Sequence, residues 1–167
     1  MKPKLIILDG ARGAGKSTVS ALLKDKLENT VFIGLDLIRN LITKSKATDD
    51  FNSVAFDAIF SMTDSFLSNK VNVVIDSGIT KKRDKVLKDI GIKNNADVFM
   101  FYLSAPKDVL WGRIQKRGEE RKKMPDKERF DYTYKMQQSK DFSDFIEIDT
   151  TKNSPEEIST LIYKKIN

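Results

Sequence analysis

Apolar residues run without interruption from Leu5 to Leu8 and then give way to Gly10-Ala11-Arg12-Gly13-Ala14-Gly15-Lys16-Ser17-Thr18, after which Val19, Leu22, Leu23 and Leu27 return at helical spacing. A short unbroken apolar run predicts a strand buried on both faces, and the three-to-four spacing predicts an amphipathic helix. The same alternation continues down the chain. Val31–Gly34 is β-rich and hands over to helical spacing from Leu35 to Leu41; Lys44–Asp50 is polar and reads as a loop. Phe51, Val54, Ala55, Ile59, Met62, Phe66 and Leu67 mark a long amphipathic helix closed by Asn69 and Lys70. Val71–Asp76 is a second buried strand ending in an acid, and Ser77-Gly78 turns it into a basic helix, Lys81–Ile90. Asp97–Leu103 is a third strong strand. Pro106 opens a helix carrying Val109, Leu110 and Ile114, which runs into the charged segment Lys116–Arg129, and another helix follows to about Lys140. Phe145–Ile148 is a last strand, Asp149–Ser154 a turn, and Pro155 stands at the first position of a final helix through Ile158, Leu161, Ile162 and Ile166. Strands alternating with helices predict an α/β fold: a parallel sheet of about five strands covered on both faces, in one domain spanning 1–167.

Composition narrows the chemistry. The 167 residues include no Cys and no His, so disulfides, thiolate chemistry and the commonest zinc ligand and general base are all excluded. Proton transfer falls to carboxylates or lysines. The formal net charge of +6 suits an anionic ligand without specifying one. No stretch approaches the ~18 to 20 apolar residues of a membrane span, and the first strand follows Met-Lys-Pro-Lys with no signal-peptide pattern, so a soluble cytoplasmic protein is expected.

The pattern Gly10-x-x-x-x-Gly15-Lys16-Ser17, set between a strand and a helix, is a phosphate loop: backbone N–H groups and the helix dipole cradle a polyphosphate, Lys16 reaches the β and γ phosphates, and the Ser17 hydroxyl ligates Mg²⁺. In parallel sheets ligands bind beyond the carboxyl ends of the strands, where Asp36, Asp76 and Asp149 also fall. Asp76 is the natural second partner for the metal, with Ser77 beside it on the acceptor side. Asp36 and Arg39 pair a base for a substrate hydroxyl with a cation for a substrate anion; an N-cap aspartate beside a solvated arginine is the bland alternative. Arg113 and Arg117, four apart, present two guanidiniums to clamp transferring phosphates, whereas Arg121, Lys122 and Lys123 read as solvated surface. Arg12 and Asp9 lie in the loop region with weaker claims. Trp111, Phe130, Tyr132 and Tyr134 could stack on a base, though aromatics at such spacings more often fill a core.

With these motifs in place, the chain resembles the P-loop kinases of the nucleoside-monophosphate-kinase-like group, nearest the polynucleotide 5′-kinase, zeta toxin and chloramphenicol phosphotransferase set. Asp36-Leu37-Ile38-Arg39 looks like the Asp-x-x-Arg motif whose Asp activates a 5′-hydroxyl and whose Arg holds the neighbouring phosphate. Arg113-Ile-Gln-Lys-Arg117-Gly, with Met124-Pro125 after it, is similar to the family's basic helical lid, about residues 113–129 here, whose arginines contact ATP phosphates. Ile148-Asp149-Thr150-Thr151 looks like the turn beside the adenine, which implies a nucleotide contact for Thr151. The resemblance also implies a sheet order of 2-3-1-4-5. Ser77-Gly78 after Asp76 departs from the Asp-Arg-aromatic of thymidylate kinases, and no shikimate-kinase glycine triplet is present.

The expected function is therefore an ATP- and Mg²⁺-dependent kinase that phosphorylates a hydroxyl, first a nucleic-acid or nucleotide-like 5′-hydroxyl. A metabolite or antibiotic kinase, a nucleoside monophosphate kinase and a non-catalytic nucleotide switch are the alternatives. Neither a membrane nor zinc is expected among its partners.

Overall fold

The computed structural model describes residues 2–41, 49–78 and 81–167. Leu5, Ile6, Ile7 and Leu8 of β1 (Lys4–Asp9) are completely excluded from solvent, which is possible only for a strand flanked by other strands and covered on both faces. Its neighbours are β3 (Asn72–Asp76) and β4 (Asp97–Ser104), with β2 (Thr30–Ile33) and β5 (Ile146–Asp149) at the edges. All four pairings are parallel, in the order β2-β3-β1-β4-β5 that the resemblance implied.

Helices make the crossovers: α1 (Lys16–Lys24), α2 (Leu35–Asn40), α3 (Asp49–Ser68), α4 (Lys81–Lys93), α5 (Lys107–Glu120) and α6 (Lys127–Gln138), and α7 (Pro155–Ile166) follows the last strand. Successive strand residues point to opposite faces, so Ile6 and Leu8 enter one core with Val19, Leu23, Ile158 and Ile162, while Leu5 and Ile7 enter another with Phe56, Ile59 and Leu87. Helices α1, α5 and α7 cover the first face, α2, α3 and α4 the second. Among the described residues no helix is long and apolar enough to cross a membrane.

Element boundaries differ from the sequence expectation where local contacts intervene. Gly34, expected in a strand, is the extended N-cap of α2; a Cβ there would meet Asp76 Oδ1 at 2.6 Å. Phe145 lies outside β5 because its N–H turns back to the Phe142 carbonyl at 2.8 Å and its ring meets Phe142 edge-on. Asp49 and Asp50, expected in a loop, open α3, and residues 44–48 of that expected loop lie outside the described residues. The basic segment is helical through Glu120. It then closes with Lys122 in the left-handed region (φ 50°), the Lys123 N–H reaching the Gly118 carbonyl at 2.9 Å, before Asp126 caps α6 on the Arg129 N–H. At the other end of the chain Ser154 and Glu157 form a reciprocal capping box around Pro155.

The aromatic residues resolve in favour of packing. Phe130 is fully buried, with Trp111 and Tyr134 tilted against it at centroid distances of 5.2 and 5.9 Å, and Tyr132 is exposed. This cluster fastens α6 to α5. Phe130→Ala should therefore lower the unfolding free energy by about 3–5 kcal/mol, read from the urea midpoint. A loss below about 1 kcal/mol would show that α6 is not anchored by this ring.

Candidate phosphate-binding site

The loop between β1 and α1 is shaped by backbone approaches that only glycine permits. Gly10, Gly13 and Gly15 have φ of 148°, 87° and 93°. A Cβ on Gly10 would meet the Leu103 carbonyl at 2.5 Å, and one on Gly13 the Leu110 carbonyl at 2.6 Å, so the loop is pressed against both β4 and α5. Ala14 is buried, while Ser17 and Thr18 lie exposed in the first turn of α1. Lys16 folds back over the loop and donates to the carbonyls of Gly10 at 2.6 Å and Ala11 at 3.1 Å. Burial pushes its pKa down, the charge of Arg117 adds to that, and Asp9, Asp76 and Asp36 oppose it.

Asp76, at the carboxyl end of β3, accepts hydrogen bonds from the hydroxyls of Ser20 and Ser17. Burial is the larger influence and raises its pKa; the Lys16 charge pulls the other way. The donor set, one serine hydroxyl and one partly desolvated carboxylate next to a phosphate loop, fits a hard cation that takes its remaining ligands from phosphate and water. Among the described residues no group of three or more acids gathers that could hold a metal ion by itself.

Across the rim, Asp36 is 89% exposed and receives Arg39 Nη1 at 3.1 Å. Arg39 Nη2 is bound by Asn52 of α3, and its Nε is buried without a partner. The charge of Asp36 is felt at Arg12, Lys16 and Asp76, which places this carboxylate on the same rim as the loop. Ser77, which follows Asp76 just beyond β3, is buried.

The two arginines of α5 part company. Arg113 donates to the Thr150 hydroxyl and carbonyl, both at 2.8 Å, and to the Gly13 carbonyl at 3.5 Å. Its guanidinium thus ties the turn after β5 to the phosphate loop. Arg117 is exposed, and its charge reaches both Lys16 and Arg12. Thr151 is turned outward: its hydroxyl and N–H donate to Asp149 at 2.6 and 2.8 Å, holding that carboxyl below the usual range. Two residues to which motif spacing gave no role join the site. Arg129, at the start of α6, faces Arg12 along with Arg117; partial burial pushes the Arg12 pKa down, and these two charges add to it. Thr150, buried under Arg113, is the second. Arg129 could have been found from sequence only by knowing that α6 folds back towards the loop.

Comparison with known proteins bears on the family and the fold. The zeta toxin family model matches residues 1–160. A component of the Pnkp1/Rnl/Hen1 RNA repair complex shares 25% identity over 82% of this chain and superposes with a TM-score of 0.66; the match spans 44% of that component, so this chain corresponds to less than half its length. Kti12 from Chaetomium thermophilum, solved with ADP-AlF3, has a TM-score of 0.73 at 14% identity, covering 97% of this chain and 96% of that one. The APS kinase CysC of Mycobacterium tuberculosis, in complex with AMPPNP and APS, has a TM-score of 0.66 at 12% identity over 99% and 98%. At such identities the last two establish the fold alone.

Folding raises the Asp76 carboxyl pKa, so its charge destabilises the ligand-free chain at neutral pH, an effect that vanishes below the ordinary carboxylate range. Asp76→Asn should accordingly leave the ligand-free Tm at pH 7 unchanged or higher. It should also abolish the additional Tm increase that Mg²⁺ gives in the presence of ADP. A lower ligand-free Tm with the Mg²⁺ increment intact would make Asp76 a structural acceptor for Ser17 and Ser20 and nothing more.

Proposed function

The chain belongs to the zeta toxin family, a group with the P-loop kinase fold, and from that premise we propose that it is a kinase transferring the γ-phosphoryl group of ATP to a hydroxyl. The first acceptor proposed is a nucleic-acid or nucleotide-like 5′-hydroxyl. One observation carries the reading: an exposed carboxylate, Asp36, paired with a guanidinium, stands on the rim within electrostatic reach of Lys16, in a chain that has no histidine. A similar component in an RNA repair complex supports an acceptor of the nucleic-acid kind.

The geometry supports the following roles. Lys16 leaves the Gly10 and Ala11 carbonyls for the β and γ phosphates, which replace neutral acceptors with charged ones and strengthen each hydrogen bond. Ser17 and Asp76 would hold Mg²⁺, which would supply charge neutralisation for the phosphates. Asp36 takes the proton of the acceptor hydroxyl as the new O–P bond forms and the bond to the ADP oxygen breaks, while Arg39 orients an anionic group of the acceptor. Arg117, with Arg12 and Arg129 beside it, stabilises charge on the transferring group. Most of the rate comes from positioning and preorganised charge, since phosphoryl transfer asks little covalent chemistry of the protein. Residues of roughly 113–129 form the lid over this site.

Lys16→Ala should nearly abolish transfer without loss of fold. Asp36→Asn keeps the side-chain shape and removes the base, so kcat should fall about 10²- to 10⁴-fold with ATP affinity little changed. The measurement is transfer from radiolabelled ATP to an oligonucleotide with a free 5′-hydroxyl, a nucleoside 3′-monophosphate, a nucleoside 5′-monophosphate, sugars and antibiotics. Labelling of the nucleoside 5′-monophosphate alone by an active Asp36→Asn variant would replace the hydroxyl-kinase reading with a monophosphate kinase. Labelling of sugars or antibiotics alone would move the acceptor class to small molecules. No labelling by a nucleotide-binding wild type would favour a switch.

A further inference from the structure

At the root of the phosphate loop, three charged side chains from three elements are sealed from water. Lys140, two residues beyond the end of α6, sets its ammonium against Asp9, the last residue of β1, and against Asp84 of α4 at 2.6 Å. The side chains of Lys140, Asp9 and Asp84 are 4%, 0% and 9% exposed. The other oxygen of Asp9 accepts the N–H of Gly10 at 2.6 Å and Gln137 Nε2, from the last turn of α6, at 2.9 Å. The rings of Phe142 and Phe145 lie 4.9 and 4.5 Å from the ammonium and close that side.

Stability does not explain this arrangement. Desolvating three charges is costly, and well-packed apolar residues of similar volume commonly hold a fold as well or better. Here one of the acids is also in surplus: burial raises the Asp84 pKa, and its second oxygen is buried without a partner. What distinguishes the cluster is where it sits. Asp9 immediately precedes Gly10, whose N–H it holds and whose carbonyl takes the Lys16 ammonium. Asp84 lies in the first turn of the helix that follows β3 and Asp76. Gln137 and Lys140 close the helix that starts near Arg129. A Cβ on Gly78 would lie 3.8 Å from Gln137 and 3.9 Å from the Gly10 carbonyl, so the turn after β3 is packed into the same junction.

We infer that Lys140 is a positioning residue for nucleotide binding: its ammonium clamps the end of α6 and the first turn of α4 onto Asp9, and through Asp9 fixes the Gly10 peptide at the entry of the phosphate loop. The loop, the arm bearing Arg129 and α4 then share one anchor. The inference rests on the nucleotide-binding reading above, and the test separates the two.

ADP affinity is measured by calorimetry with Mg²⁺ present, beside Tm, on the full chain and on two variants. The triple variant Asp9→Asn, Asp84→Asn, Lys140→Met removes every buried charge of the cluster and leaves none unpaired, so it should fold with a Tm near or above the parent. It should nonetheless bind ADP about ten-fold or more weakly, because the loop has lost its anchor. Lys140→Arg keeps the charge but its longer planar head displaces α6 from Asp9, and should weaken ADP about three-fold or more. Unchanged ADP affinity in a folded triple variant, or in Lys140→Arg should the triple variant not fold, would overturn the inference alone. Failure of the parent chain to bind ADP would overturn the nucleotide-binding reading and this inference with it.

Discussion

The ammonium of Lys16 needs an environment that is dry enough to make its interactions strong and polar enough to keep it charged. Burial pushes its pKa down, and three carboxylates, Asp9, Asp76 and Asp36, supply the opposing field. Much of the architecture serves that balance. The parallel sheet brings the ends of β1, β2 and β3 together at one edge, so that acids which follow or close three strands surround one lysine. Gly10 and Gly13 let the loop press against the Leu103 and Leu110 carbonyls, which keeps the Gly10 and Ala11 carbonyls in place as temporary partners for the ammonium. A charge already desolvated and already positioned needs little reorganisation when phosphate arrives.

The proposed metal donors and the proposed base are set apart by the same sheet geometry. Asp76 is drawn inwards at the end of β3, under Ser17 and Ser20, where a half-buried carboxylate suits a divalent cation. Asp36 is one short turn beyond β2 and exposed, restrained by Arg39, which Asn52 holds from α3. Two carboxylates on one rim thus meet different environments. The inward one is already engaged by the Ser17 and Ser20 hydroxyls. The outward one, exposed and held by Arg39, is open to solvent and to an acceptor.

Sequence pattern carried most of this arrangement because strand, loop and helix are local signals. Leu5–Leu8 announces a doubly covered strand, Gly10–Ser17 the loop, and the acids at strand ends the rim. Contacts between elements distant in sequence were not legible. Arg113 and Arg117 look equivalent at four-residue spacing, yet one is bound to Thr150 and the other faces Lys16, a difference set by how α5 lies against the β5–α7 turn. Phe130 is a core residue because α6 folds back onto α5, and no periodicity within α6 encodes that return. Asp9 reads as part of the loop; its partner lies 131 residues away.

Arg12, Arg117 and Arg129 stand on three different elements, the loop, α5 and the start of α6; burial lowers the Arg12 pKa, and repulsion from the charges of Arg129 and Arg117 lowers it further. In the ligand-free protein this repulsion opposes any approach of the α5–α6 junction to the loop. Under the kinase reading, a polyphosphate placed among them would turn each repulsive pair into two attractions to a shared anion. A ligand shifts a conformational equilibrium only through a difference in its interaction with the states involved. A highly charged anion in the loop would therefore be what draws the three guanidiniums together, whereas a neutral ligand would leave their repulsion in place.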